Sequence, residues 1–160
     1  MSTQDAPERA AAAIPGAPPH ILIIQAPYYA QVVGGMREAA LEVFAASRAT
    51  HDLAEVAGAF ELPAALRMAL LQRAARHDGY LILGCVVKGE TDHYEHICRE
   101  ASRGIMQIAV ETAAAIGFGL LTVDTLAQAI ARASRDRHNK GAEAAQALLG
   151  QVALRRRWDL

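Results

Sequence analysis

The chain has 160 residues, enough for one domain with a sizeable core, and 52% of them are hydrophobic with few aromatics, as in an ordinary soluble globular protein. Sixteen Lys and Arg against seventeen Asp and Glu leave a formal net charge of -1, so no overall field recruits nucleic acid or an anionic membrane. No apolar run reaches the roughly 20 residues of a membrane span, which excludes a transmembrane helix.

The first 19 residues, rich in Ala, Pro and Gly, read as a flexible arm. They lack the basic start and apolar stretch of a signal peptide, so the cytoplasm is the expected location. Residues 20–160 form a single domain. "HILIIQAP" (20–27) is a short β-branched run closed by proline and reads as a buried strand. "AQVVGGMREAALEVFAASRA" follows with Val33, Met36, Ala40, Val43 and Phe44 at helical spacing. "THDLAEVAG" (50–58) predicts a more polar strand, and "LPAALRMALLQRAARHD" (62–78) a helix that tolerates Pro63 in its first turn. "GYLILGCVV" (79–87) is the strongest strand. A long helix over about 94–114 precedes the strand "GFGLLTV" (117–123), and two further helices are expected near 125–135 and 139–155.

This alternation, with near-continuous apolar strands, predicts an α/β three-layer sandwich: a four-stranded parallel sheet with helices on both faces. Ligands of such folds bind outside the carboxyl ends of the strands. The unusual residues gather there: Tyr28 and Tyr29, then Ala59-Phe60-Glu61, then Lys88 to His93, then Asp124.

"GCVVKGETDHYEH" (84–96) turns from buried strand to charged helix start. In its structural reading Asp92-x-x-Glu95 can act as a capping pair for the helix, with Thr91 as the alternative cap, and a functional reading is compatible with it. The N–H groups of Gly89, Glu90 and Thr91 form a natural anion cradle, and His93 stands beside it as a proton relay near neutral pH. His93 and His96 have a spacing a metal accepts, but no third ligand and no HExxH pattern accompany them, so no metal is expected. His20, His51 and His77 lie at segment edges and are expected to be solvated. Cys85 and Cys98 lack CxxC spacing and read as small buried hydrophobes in a reducing compartment.

In "VAGAFELP" (56–63), Gly58 and Phe60 fit either a turn and a core residue, or a close approach plus Glu61 for a flat hydrogen-bonding heterocycle. "ARASRDRHNKGAEAA" (131–145) carries Arg132, Arg135, Arg137 and Lys140: either a solvated joint or, at Arg132, the guanidinium that a phosphate cradle needs. Neither GxGxxG nor GxxxxGK[ST] is present.

Together "VAGAFELP", "GCVVKGETDHYEH", "GFGLLTVDT" and "ARASRDRHNKGAEAA", in this order, resemble the lumazine synthase family over roughly residues 20–155. The resemblance implies a flavodoxin-like fold and the condensation of 5-amino-6-(D-ribitylamino)uracil with 3,4-dihydroxy-2-butanone 4-phosphate in riboflavin biosynthesis, with no metal or organic cofactor. It implies His93 as acid/base, and Gly89, Glu90, Thr91 and Arg132 on the butanone phosphate. For the pyrimidine and ribityl chain it implies Tyr28, Ala59, Phe60, Glu61, Val86 and Val87, with Phe118 and Lys140 supplied by a neighbouring subunit. Pentamers with sites at subunit interfaces follow from it, and riboflavin synthase is a further candidate partner.

Some positions depart from the family pattern: Ala57 for Pro, Pro27 for Arg, Tyr29 for Asn, and Glu90 where a small residue is frequent. The alternatives are a non-catalytic flavin or lumazine carrier, which would not need His93 and Arg132, and a flavodoxin-like electron carrier. The latter should place its phosphate loop after the first strand, where "QAPYYAQ" stands instead.

Overall fold

The computed structural model describes residues 13–72 and 77–160. Four strands, β1 (His20–Gln25), β2 (Thr50–Glu55), β3 (Gly79–Val87) and β4 (Ile116–Val123), form one sheet in the order β2-β1-β3-β4. Every pairing is parallel. Five helices connect and cover them: α1 (Ala30–Ala46), α2 (Leu62–Leu71), α3 (His93–Thr112), α4 (Leu126–Arg132) and α5 (Lys140–Arg157).

Strand alternation builds the two cores. Ile21, Ile23, Leu81 and Leu83 point to one face, where they pack with Val33, Met36 and Phe44 of α1 and Leu148 and Val152 of α5. Leu22, Ile24, Tyr80 and Ile82 point to the other, against Leu62 and Leu66 of α2 and Ala101 and Ile105 of α3. Both faces of β1 and β3 are therefore buried, the reason these strands lack polar alternation. β2 is an exposed edge, and its polar sequence matches that position.

Several elements end earlier than their sequence pattern, β1, β2 and α2 among them. β1 stops at Gln25, because Pro27 has no N–H for a ladder and opens a one-turn 3-10 segment, Pro27–Tyr29. β2 stops at Glu55, before the small residues that lead to a second such turn, Ala59–Glu61. α2 ends at Leu71; the rest of its expected span includes residues 73–76, outside the described residues. Of the arm read over residues 1–19, the first twelve are likewise outside. Residues 13–19 lie along the domain, where Arg156 donates to the carbonyls of Pro15 and Ala17 and pairs with Asp78 at 2.9 Å.

The joint between α4 and α5 depends on Asn139, one of two buried polar or charged residues among those described. Its Oδ1 accepts from the N–H groups of Gly141 and Ala142, capping α5. Its Nδ2 donates to the carbonyls of Ala133 and Ser134, both at 2.9 Å, with a longer contact to Gly35 of α1. Gly141 follows because a Cβ there would strike the Met36 backbone. Asn139→Ala strands these groups and is expected to cost about 2–4 kcal/mol. A urea midpoint shifted down at unchanged slope is the expected readout; an unshifted midpoint would show that the joint is held elsewhere.

Candidate active site

A groove of about 840 Å³ opens at the carboxyl ends of β1 and β3, the position that parallel α/β sheets reserve for ligands. Its walls include Tyr28, Ala59, Phe60, Glu61, Val86, Val87 and His93. Tyr28 and Phe60 are 76% and 59% exposed, so neither ring fills the core. Two large aromatic faces left in solvent beside a cavity can stack on a flat ligand. Tyr29 meets Tyr28 edge-on, with ring centroids 5.1 Å apart, which restricts how Tyr28 can swing. Val86 and Val87 are half-buried at the end of β3, where backbone groups can meet a heterocycle's edge.

The turn from β3 into α3 is held at its start by the Lys88 N–H donating to the Val123 carbonyl at 2.9 Å. Gly89, Glu90 and Thr91 then run exposed to the helix. Among the described residues, their N–H groups have no hydrogen-bond partner. The expected capping pair does not form. Asp92 sits at φ -67°, ψ -4°, already helical, and its side chain makes no cap bond. A capping side chain needs an extended backbone to reach forward to the helix N–H groups, and this conformation denies it. The contrast within the chain is direct: Thr125 is extended and completes a capping box with Gln128, and Asn139 is extended and caps α5. The start of α3 therefore keeps free donors and the positive end of a 20-residue helix, with exposed His93 as its first residue.

Of the residues that the resemblance assigns to substrate, Gly89, Glu90 and Thr91 stand in the turn beside the groove and not in its walls, and Phe118, Lys140 and Arg132 lie elsewhere on this chain. Phe118, 47% exposed on edge strand β4, and Lys140 line a separate hollow of about 330 Å³ between β4 and α5. There Lys140 pairs with Glu143 at 2.8 Å. Arg132, half-buried at the end of α4, donates to the Gln128 carbonyl and lines neither cavity. The groove also contains Ala57, Gly58, Cys85, His96 and Ile97, which the motif reading did not assign to substrate. His96 was signalled by its spacing from His93; Cys85 is indistinguishable in sequence from any other strand residue.

His20 and His77 depart from the expectation that segment-edge histidines are solvated. Both contact Asp52, and the His77 side chain is 4% exposed. His51 is exposed as expected.

The family model for 6,7-dimethyl-8-ribityllumazine synthase matches residues 18–156, nearly the whole chain. The chain belongs to the lumazine synthase family. Relatives carrying the name 6,7-dimethyl-8-ribityllumazine synthase include one from Bartonella henselae, 39% identical over 87% of this chain and 90% of its own length. One from Paramagnetospirillum magneticum is 41% identical over 88% of this chain and 97% of its own. A third, 6,7-dimethyl-8-ribityllumazine synthase 1 of Rhizobium meliloti, is 41% identical over 88% and 94%. The coverage spans all four motifs that carry the resemblance, so the match to the lumazine synthases is of a whole domain.

Neither cysteine has the surroundings of a nucleophile. Burial, and to a lesser degree the proximity of Cys98, pushes the Cys85 thiol up to about 11, and burial also raises half-buried Cys98. At pH 8 a thiol of that acidity is ionised to about one part in a thousand, against roughly a tenth at pKa 9. Cys85 in the folded protein is therefore expected to react with a thiol-specific disulfide reagent at least about tenfold more slowly than in the denatured protein. Rapid labelling of Cys85 in the folded state would contradict this description of the groove wall.

Proposed function

We propose that this groove condenses 5-amino-6-(D-ribitylamino)uracil with 3,4-dihydroxy-2-butanone 4-phosphate to give 6,7-dimethyl-8-ribityllumazine, the reaction of its family. One observation carries the assignment of roles. An uncapped helix start, His93 and two exposed aromatic rings meet at the mouth of a single groove. The pyrimidine stacks on Tyr28, its polar edge meets the backbone at Val86 and Val87, and its ribityl chain runs along Ala59, Phe60 and Glu61. The butanone phosphate rests on the N–H groups of Gly89, Glu90 and Thr91. In this reading Glu90 meets the ligand through its N–H and not through its carboxylate.

The uracil amine attacks the ketone and loses water to give an imine, phosphate departs to leave an enol, the enol tautomerises to a ketone, and the second nitrogen closes on that carbonyl with loss of a second water. Each step moves a proton, and His93 is the relay placed beside the reacting carbons. Much of the acceleration comes from holding both substrates in one groove, and the helix start stabilises the departing phosphate. A carrier would use Tyr28 and Glu61 but gain nothing from His93 beside free helix donors.

The separation of Arg132, Phe118 and Lys140 from the groove supports a site completed by a neighbouring subunit. In this reading the enzyme is a pentamer of the cytoplasm, and each Arg132 clamps the phosphate held by the next chain, with Phe118 and Lys140 closing over the pyrimidine. Riboflavin synthase, which consumes the lumazine, is the partner proposed for the assembly. No helix among the described residues is long and apolar enough to cross a membrane.

His93→Ala is expected to lower kcat by on the order of 10²-fold or less, since water substitutes in part, with oligomer size unchanged. An unchanged steady-state rate removes His93 from the mechanism. Arg132→Ala is expected to raise KM for the butanone phosphate roughly ten- to hundredfold and leave pyrimidine binding nearly intact. Arg132→Lys recovers part of the loss, because an ammonium lacks the guanidinium fork. Equal losses for both substrates would mark Arg132 as structural. Co-expressing the two alanine variants tests the sharing: hybrid oligomers that reunite one wild-type His93 with a neighbour's wild-type Arg132 regain activity, whereas hybrids as poor as both parents contradict a composite site.

A further inference from the structure

At the opposite end of the sheet from the groove, three side chains converge that the reaction does not use. His20 is the first residue of β1, Asp52 the third of β2, and His77 stands two residues before β3. We propose that His20, Asp52 and His77 form a binding site for one divalent transition-metal ion of zinc type.

The geometry carries this. Nε2 of His20 and Nε2 of His77 each lie 3.0 Å from the same oxygen, Oδ2 of Asp52. The three candidate donor atoms all fall within 4.8 Å of one another. Two ligand atoms on a tetrahedral zinc with bonds near 2.0–2.1 Å are about 3.3 Å apart, so the two His–Asp sides of the triangle need to open by only a few tenths of an ångström. Two imidazole nitrogens and one carboxylate suit zinc and its neighbours in the first transition row, whereas calcium and magnesium take sets of oxygens. Three protein ligands leave the fourth position to water, and the open side of the cluster supplies it: the Asp52 side chain is 61% exposed and that of His20 37%.

The rings are also held in place before any ion arrives. His20 and His77 stack with centroids 4.9 Å apart and planes 22° from parallel. Thr50 Oγ1 lies 2.7 Å from His20 Nδ1, the outer partner that fixes a ligating imidazole with Nε2 toward the metal. The Tyr80 ring meets the His77 ring edge-on at 6.0 Å. Among the described residues, Nδ1 of His77 is buried without a partner, and the ring reaches Asp52 through Nε2. The next carboxylate, Asp78, is committed elsewhere: it pairs with Arg156 and accepts the His20 N–H. An ion here ties the start of β1 to edge strand β2 and to the entry of β3, a staple rather than a catalytic centre.

The test is a titration of tag-free protein with zinc chloride at pH 7.5 against a chromogenic chelator. The expected result is one zinc per chain with Kd in the micromolar range or tighter, weakened at least about tenfold in Asp52→Ala and in His77→Ala. His96→Ala and His138→Ala retain wild-type affinity. Zinc raises Tm for wild type and not for Asp52→Ala, and cobalt gives wild type the visible spectrum of a four-coordinate site, a readout that stands even if a variant folds poorly. Less than half a zinc per chain, equal affinity in folded Asp52→Ala, or loss of binding in His96→Ala overturns the proposal.

Discussion

The free backbone donors where β3 passes into α3 are the constraint on which the site depends. A helix start left without a side-chain cap forgoes roughly 0.5–2 kcal/mol of local stability. The same chain caps α4 and α5 with Thr125 and Asn139, whereas α1 and α2, like α3, start without a side-chain cap bond. At α3 the helical conformation of Asp92 turns the carboxylate away, and the exposed run Gly89–Thr91 approaches with its N–H groups open. The rest of the fold serves to hold that junction still. β3 is buried on both faces, its last turn is pinned through Lys88 to β4, and α3 is anchored by Ala101 and Ile105 on the second core.

That junction is also electrostatically incomplete within one chain. Between Gly84 and His96 the loop carries one lysine against Glu90, Asp92 and Glu95. A phosphate seated there gains the helix dipole and the N–H groups but meets carboxylates of its own sign. A fixed guanidinium from outside the loop answers this, and Arg132 has the mount for it. Its short helix is secured by the capping box at one end and the Asn139 joint at the other. In the proposed reading, the need for an outside cation links the local chemistry of α3 to assembly.

Much of the fold was legible in the sequence because two buried strands and amphipathic helices leave strong periodic signals. β3 was read to the residue, and α3 and β4 to within two. The strand ends at Gln25 and Glu55 were overrun, since apolar residues continue past the point where Pro27 and the 3-10 turn break the ladder. Seven of the residues that the sequence singled out line one cavity, whereas Gly89, Glu90, Thr91, Arg132, Phe118 and Lys140 are outside its walls. The capping pair was misjudged because residue types predict a cap while a backbone dihedral decides it. Asn139 escaped notice amid a basic joint whose charges draw the eye, although it makes the contacts that shape that joint. The His20–Asp52–His77 cluster was invisible for a different reason: three residues spread over 58 positions meet only once β1 and β2 pair in their observed register.

The central claim is that the open start of α3 is the phosphate seat and that another subunit completes it. The most direct measurement is a crystal structure of the assembled protein soaked with inorganic phosphate. The account predicts one phosphate per chain within hydrogen-bond distance of the Gly89–Thr91 N–H groups, bridged by the guanidinium of a neighbouring chain's Arg132. A phosphate bound away from that loop, or one met there by Arg132 of its own chain, would contradict it.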